Sequence, residues 1–203
     1  MTNDFDKILE YTIDGYVIRY GIKMGQGSLV FVKTGLGGDI PGYEGKYLRI
    51  AGRLNEKYGC TVICASNPIE VKCHAEIDRG VIDRMVDEMC SDAPRMYFFG
   101  HSNGGIKGLQ LTTLGVHFER MMLVNTPLMV NMFKTKAMIN AIPKTEVSMI
   151  YGELDPSVPY LPFFDGKLPN VRARVFAGAD HNFCGFTNEF IELADELMGS
   201  SSC

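Results

Sequence analysis

Met96-Tyr97-Phe98-Phe99-Gly100-His101-Ser102-Asn103-Gly104-Gly105 decides the reading of this chain. The apolar run Met96 to Phe99 reads as a strand, and the residues after Ser102 read as a helix to about Leu114. Between them a serine stands at the tip of a sharp turn, flanked by Gly100 and Gly104. Glycine tolerates strained backbone angles and lets neighbouring elements pass closely. Such a turn pushes the serine hydroxyl out of the sheet, where a small molecule can meet it. This is the spacing of a nucleophile elbow. G-x-S-x-G also arises by chance in a chain with 22 glycines, so its meaning rests on what surrounds it.

Outward from the turn, strands and helices alternate. Upstream, Ile8 to Ile13 and Tyr16 to Ile22 read as a hairpin joined by Asp14-Gly15. Gly25-Gln26-Gly27 turns into the buried-strand run Leu29 to Val32, followed by the glycine-rich loop Thr34-Gly35-Leu36-Gly37-Gly38. Tyr47, Ala51, Leu54 and Tyr58 recur at helical spacing, and Gly59 ends that helix. Cys60 to Ala65 is a continuous apolar strand, and Ala75 to Cys90 a helix. Downstream, Met121 to Val124, Val147 to Tyr151 and Val171 to Ala177 read as strands. A last helix starts near Thr187, which is placed as its N-cap. Residues 127–143 are rich in Met and ambiguous. Alternation of this kind predicts an α/β fold with parallel strands and crossover helices on both faces. Residues 1–203 show no repeat, linker or composition break, so they read as one domain.

Composition narrows the function. Hydrophobic residues make up 46% and charged residues 22%, which suits a soluble globule with a sizeable core. The net charge is −4 and no long basic run occurs, which argues against nucleic acid or an anionic membrane surface as partner. The acidic N-terminus lacks the pattern of a signal peptide, and no apolar stretch is long enough to span a bilayer. Cys60, Cys64, Cys73, Cys90, Cys184 and Cys203 include no C-x-x-C pair, so zinc and dithiol sites have little support. Reduced cysteines in a cytoplasm are expected. His74 and His117 read as surface residues, and His101 as a packing or hydrogen-bonding residue of the turn.

In open parallel sheets, ligands meet the carboxyl ends of the strands. Three strand ends carry a serine, an acid and a histidine, in that order. Ser102 follows one, Gly152-Glu153-Leu154-Asp155-Pro156 a second, and Gly178-Ala179-Asp180-His181 a third. A serine hydroxyl needs a base to take its proton, and an imidazole needs a carboxylate to fix its tautomer. His181 is the expected base and Asp155 its orienter, with Glu153, Asp165 and Asp180 as rivals. A developing oxyanion needs donors: the Asn103 backbone N–H at a helix start, and Leu36 N–H in the glycine-rich loop. That loop does not fit a phosphate cradle, since no Gly-Lys-Ser/Thr follows it.

With the loop 29–38, the elbow, the segment Gly152 to Pro159 and Gly178 to His181 in this order, nearly the whole chain resembles the α/β-hydrolase fold family. The resemblance implies an eight-stranded, mostly parallel sheet, a Ser-Asp-His triad and no cofactor. The ordered serine, acid and histidine at strand ends lead to the expectation of a serine hydrolase acting on a small acyl substrate, a carboxylic ester or thioester. An acyltransferase or peptidase using the same residues, and a non-catalytic binding protein, are the alternatives. Thr34-Gly35 stands where family loops often carry His-Gly, and only 127–143 leaves room for a small cap. Met129, Met132, Phe133, Met138, Phe163 and Phe164 fall in segments that could line an acyl pocket, or could equally pack the core.

Overall fold

The chain opens with two antiparallel strands, β1 (Lys7–Ile13) and β2 (Tyr16–Lys23). Asp14 and Gly15 between them both take positive φ, as a two-residue hairpin turn with the twist of its strands requires. The computed structural model describes residues 4–69, 74–89 and 94–199; Cys73, Cys90 and Cys203 lie outside them. Six further strands follow: β3 (Leu29–Lys33), β4 (Thr61–Ala65), β5 (Met96–His101), β6 (Arg120–Val124), β7 (Glu146–Gly152) and β8 (Val171–Phe176). Between and after them run α1 (Lys46–Tyr58), α2 (His74–Glu88), α3 (Asn103–Thr113), α4 (Leu128–Asn140) and α5 (Thr187–Met198).

All eight strands form one sheet in the order β1-β2-β4-β3-β5-β6-β7-β8. β2 is antiparallel to both its neighbours, and every pair from β4 to β8 is parallel. β4 and β5 flank β3, so the chain leaves β3 toward one edge and later returns to its other side. A crevice opens at the carboxyl ends where the winding direction changes. Side chains alternate across the sheet. Leu29, Phe31 and Phe98 pack on one face under α2, α3 and α4. Val30, Val32, Tyr97 and Phe99 pack on the other under α1 and α5. β3 and β4 are buried along their whole length, as expected of central parallel strands.

Two sequence expectations change, and one ambiguity is resolved. Thr187 begins α5 but does not cap it: Phe186 holds the N-cap position, and the Thr187 hydroxyl donates to Glu44 Oε2 at 2.6 Å. A carboxylate brought close by folding outcompetes the local cap. His74 is buried rather than exposed, with Nε2 3.0 Å from the Pro68 carbonyl, while His117 is exposed as expected. The ambiguous 127–143 stretch holds α4, which packs on α3 between β6 and β7.

One polar feature sits deep in the core. Lys33, at the end of β3, is fully buried and donates to Asp78 Oδ1 and the Ser66 carbonyl, each at 2.9 Å. Tyr20 donates to the same Asp78 oxygen at 2.7 Å. The cluster ties β2, β3 and α2 together. Among the described residues, no helix is long and apolar enough to cross a membrane.

Candidate active site

Ser102 sits between β5 and α3 with φ 54° and ψ −128°. A non-glycine residue in this region carries strain of about 1–3 kcal/mol, and persists only where its surroundings hold it. Here the Ser102 N–H donates to the Val124 carbonyl at 2.8 Å, and the Ser102 carbonyl accepts from Gly105 N–H at 3.0 Å. Gly104 allows the close approach that completes the turn. A Cβ there would collide with the carbonyl oxygen of Lys33. Without one, the start of α3 lies against the end of β3 and the loop that follows it.

The three strand ends converge. Asp155, whose side chain is almost wholly buried, accepts the Ser157 N–H on Oδ1 at 2.7 Å. Its other oxygen, Oδ2, accepts the Nδ1–H of His181 at 2.5 Å. A proton on Nδ1 leaves Nε2 as an acceptor. The Ser102 hydroxyl donates to it at 2.9 Å. Each rival acid is occupied elsewhere. Glu153 accepts Gly178 N–H, Asp165 accepts Ala173 N–H, and Asp180 accepts the N–H groups of Asn182 and Cys184. Those bonds, Cys184's first, hold the Asp180 carboxyl below its ordinary pKa.

Of the two expected oxyanion donors, Asn103 follows Ser102 directly in the chain as the first residue of α3, and Leu36 lines the same cavity as Ser102 and His181. Among the described residues neither backbone N–H has an acceptor. The loop that carries Leu36 is pinned around it. Gly38 N–H donates to the Gly35 carbonyl and Gly37 N–H to the Asn67 carbonyl. The Asn67 side chain in turn donates to the Thr34 carbonyl and reaches Asn103 Oδ1 at 3.3 Å.

Two further side chains hold His181 itself. His101 is buried, and its Nε2 lies 2.9 Å from the His181 carbonyl. A carbonyl only accepts, so Nε2 carries the proton and Nδ1 accepts from the Tyr47 hydroxyl at 2.9 Å. Burial, reinforced by the positive charge of Lys46, lowers the His101 pKa to about 3, so this imidazole is neutral at physiological pH. Asn125, in the left-handed region at φ 48°, donates from Nδ2 to the same His181 carbonyl at 2.7 Å and accepts Gly152 N–H on Oδ1 at 2.9 Å. His101 thus has the hydrogen-bonding role expected of it. The sequence alone gives Asn67 and Asn125 no role, although both follow strand ends, and places Tyr47 only in the apolar stripe of a helix.

The cavity over Ser102 encloses about 460 Å³, with Leu36, Tyr43, Lys46, Tyr47, His181 and Asn182 among its walls. None of the Met and Phe residues considered for an acyl pocket lines it. Phe164 and Met138 are core residues and Met132 packs against the core. Met129, Phe133 and Phe163 face solvent.

No family model and no curated protein matches the chain. Solved structures do. Est1E from Butyrivibrio proteoclasticus superposes with a TM-score of 0.73 at 13% identity, covering 94% of this chain and 97% of that one. Dienelactone hydrolase from Anabaena variabilis gives 0.71 at 15% identity, covering 94% and 97%. The thioesterase domain from the curacin biosynthetic pathway gives 0.67 at 11%, covering 95% and 99%. The chain has the α/β-hydrolase fold.

Proposed function

We propose that this protein is a serine hydrolase that cleaves a carboxylic ester or thioester of a small molecule through an acyl-enzyme. The observation that carries the reading is the hydrogen-bonded series from Ser102 Oγ through His181 to Asp155. Ser102 Oγ attacks the substrate carbonyl carbon while His181 Nε2 takes its proton. The negative oxygen of the tetrahedral adduct rests on Asn103 and Leu36 N–H. Collapse breaks the ester or thioester bond, and His181 returns the proton to the departing alcohol or thiol. A water molecule then attacks the acyl carbon with its proton going to His181, and Ser102 leaves with that proton restored. Asp155 accepts the Nδ1–H and holds the imidazole in one tautomer.

Support for hydrolysis over transfer comes from exposure: the His181 side chain is 39% accessible, so water reaches the base. Solved structures of the same fold that are named a thioesterase domain and a dienelactone hydrolase fit the same class. A cytoplasmic site of action fits Cys60, Cys64 and Cys184, which are free thiols rather than cross-links.

A fluorophosphonate probe is expected to label the wild-type protein on Ser102. Ser102→Ala is expected to lose labelling, and to lose ester hydrolysis by roughly 10³-fold or more. Equal labelling of the two proteins overturns the reading. Product analysis with added alcohol, amine or thiol separates hydrolysis from acyl transfer.

A further inference from the structure

Three lysines of the described chain are more than nine-tenths buried, and they are not treated alike. Lys33 has Asp78, and Lys23, 8% exposed, has Asp6 at 3.4 Å. Lys46 is 6% exposed and lines the cavity over Ser102. Among the described residues, no carboxylate oxygen lies within 4.0 Å of its ammonium group. The one hydrogen bond it makes among the described residues is a long one, 3.3 Å to the Asn182 carbonyl. The ammonium otherwise faces aromatic rings, 4.5 Å from the centroid of Phe190 and 5.4 Å from that of Tyr47. Burial lowers its pKa, against the nearby Cys184 and Asp180, which act to raise it. Asp180 is turned to its own loop, where backbone N–H groups occupy it. Asp39, the carboxylate in the cavity wall, is exposed and bonded to Ile40 N–H and Arg19.

An ammonium has three donors, and a buried charge without a counter-ion is costly to hold. Lys46 lines the cavity that holds the nucleophile, and the carbonyl its ammonium reaches belongs to Asn182, another residue of that wall. We propose that Lys46 is a specificity determinant that receives a carboxylate on the substrate, so that the preferred ester or thioester carries a negative group on its acyl or its alcohol side. The inference rests on the serine-hydrolase reading and names the substrate class of that site. The bound carboxylate supplies the counter-ion that Lys33 and Lys23 find within the fold. A lysine presents a point charge rather than a fork, which suits one carboxylate without demanding a bidentate geometry.

Matched esters test this. p-Nitrophenyl hexanoate and the mono-p-nitrophenyl ester of adipate differ at the chain end, methyl against carboxylate. Phenyl butyrate and 3-carboxyphenyl butyrate place the same difference on the alcohol side. The wild-type protein is expected to favour the anionic member of one pair in kcat/KM. The anionic-to-neutral ratio is expected to fall about tenfold or more in Lys46→Met and to survive in Lys46→Arg. Lys46→Met is also expected to melt no lower than wild type, because it removes an uncompensated buried charge. A wild-type preference for the neutral member of both pairs overturns the inference, as does a ratio unchanged by Lys46→Met. A binding arm separates this from the chemistry. On Ser102→Ala, calorimetry compares the non-hydrolysable N-methyladipamate with N-methylhexanamide, and 3-carboxyphenyl butyrate with phenyl butyrate. Tighter binding of an anionic member, lost in Lys46→Met/Ser102→Ala, supports the inference whatever the turnover. No preference in either comparison overturns it, even if Ser102 labels normally. A wild-type protein that does not label points instead to failure of the serine-hydrolase reading.

Discussion

His101 pairs a polar task with a desolvated place. It bonds Tyr47 on one side and the His181 carbonyl on the other, and its pKa of about 3 lies well below the 6.5 of an unperturbed imidazole. Below about pH 6.5 the unfolded chain takes up a proton that the folded chain refuses until about pH 3. The stability tied to this residue is therefore fully present above 6.5. It is lost on acidification at up to about 1.4 kcal/mol per pH unit. His101→Gln keeps a side-chain amide near the Nε2 position and does not titrate. Its melting temperature is expected to fall less than that of wild type between pH 7 and pH 5. Parallel slopes for the two proteins would contradict the burial argument. The meeting of Ser102, His181 and Asp155 was legible because a serine, an acid and a histidine each follow an apolar strand run of one parallel sheet. The isolation of Lys46 was not: in sequence it is one lysine at the start of a helix, and only folding shows its ammonium with no carboxylate of the described residues within 4.0 Å.

Elements meet here through missing atoms. Gly104 lets α3 rest on the end of β3, and Gly108 lets it rest on the Phe98 ring. Gly104→Ala or Gly108→Ala is expected to lower stability by about 1–3 kcal/mol despite the better helix propensity of alanine. Urea denaturation measures it, and a neutral or stabilising result would show that α3 can shift freely from the sheet. The strands and most helices were legible because periodicity and terminators agreed, as with Tyr47, Ala51, Leu54 and the left-handed Gly59 at the end of α1. α4 was not, because its apolar residues are distributed around it: Leu128, Met138 and Ile139 face the core while Met129, Val130 and Phe133 face solvent. Thr187 looked like a cap because local chemistry favours it there. The partner that claims it, Glu44, is 143 residues away and invisible to a local reading.

At the scale of the molecule, the Lys33–Asp78–Tyr20 cluster links three elements on one side of the sheet. Asp78→Ala strands a buried ammonium and is expected to cost about 3–5 kcal/mol. Lys33→Met with Asp78→Leu and Tyr20→Phe is expected to recover most of that loss in chemical denaturation. A triple variant as unstable as Asp78→Ala would locate the cost in packing instead. The fold itself was legible from alternation. The sheet order was not, because the return of β5 to the far side of β3 is a choice among crossovers that no short segment encodes. The convergence of distant strand ends also sets a clock. Ser102 and His181 stand 79 residues apart in the chain. On a ribosome the serine is translated well before its proposed base, and until β8 and the loop beyond it join the sheet it is an ordinary alcohol. On this reading the nascent protein is inert, and reactivity begins only when synthesis has passed the final strand.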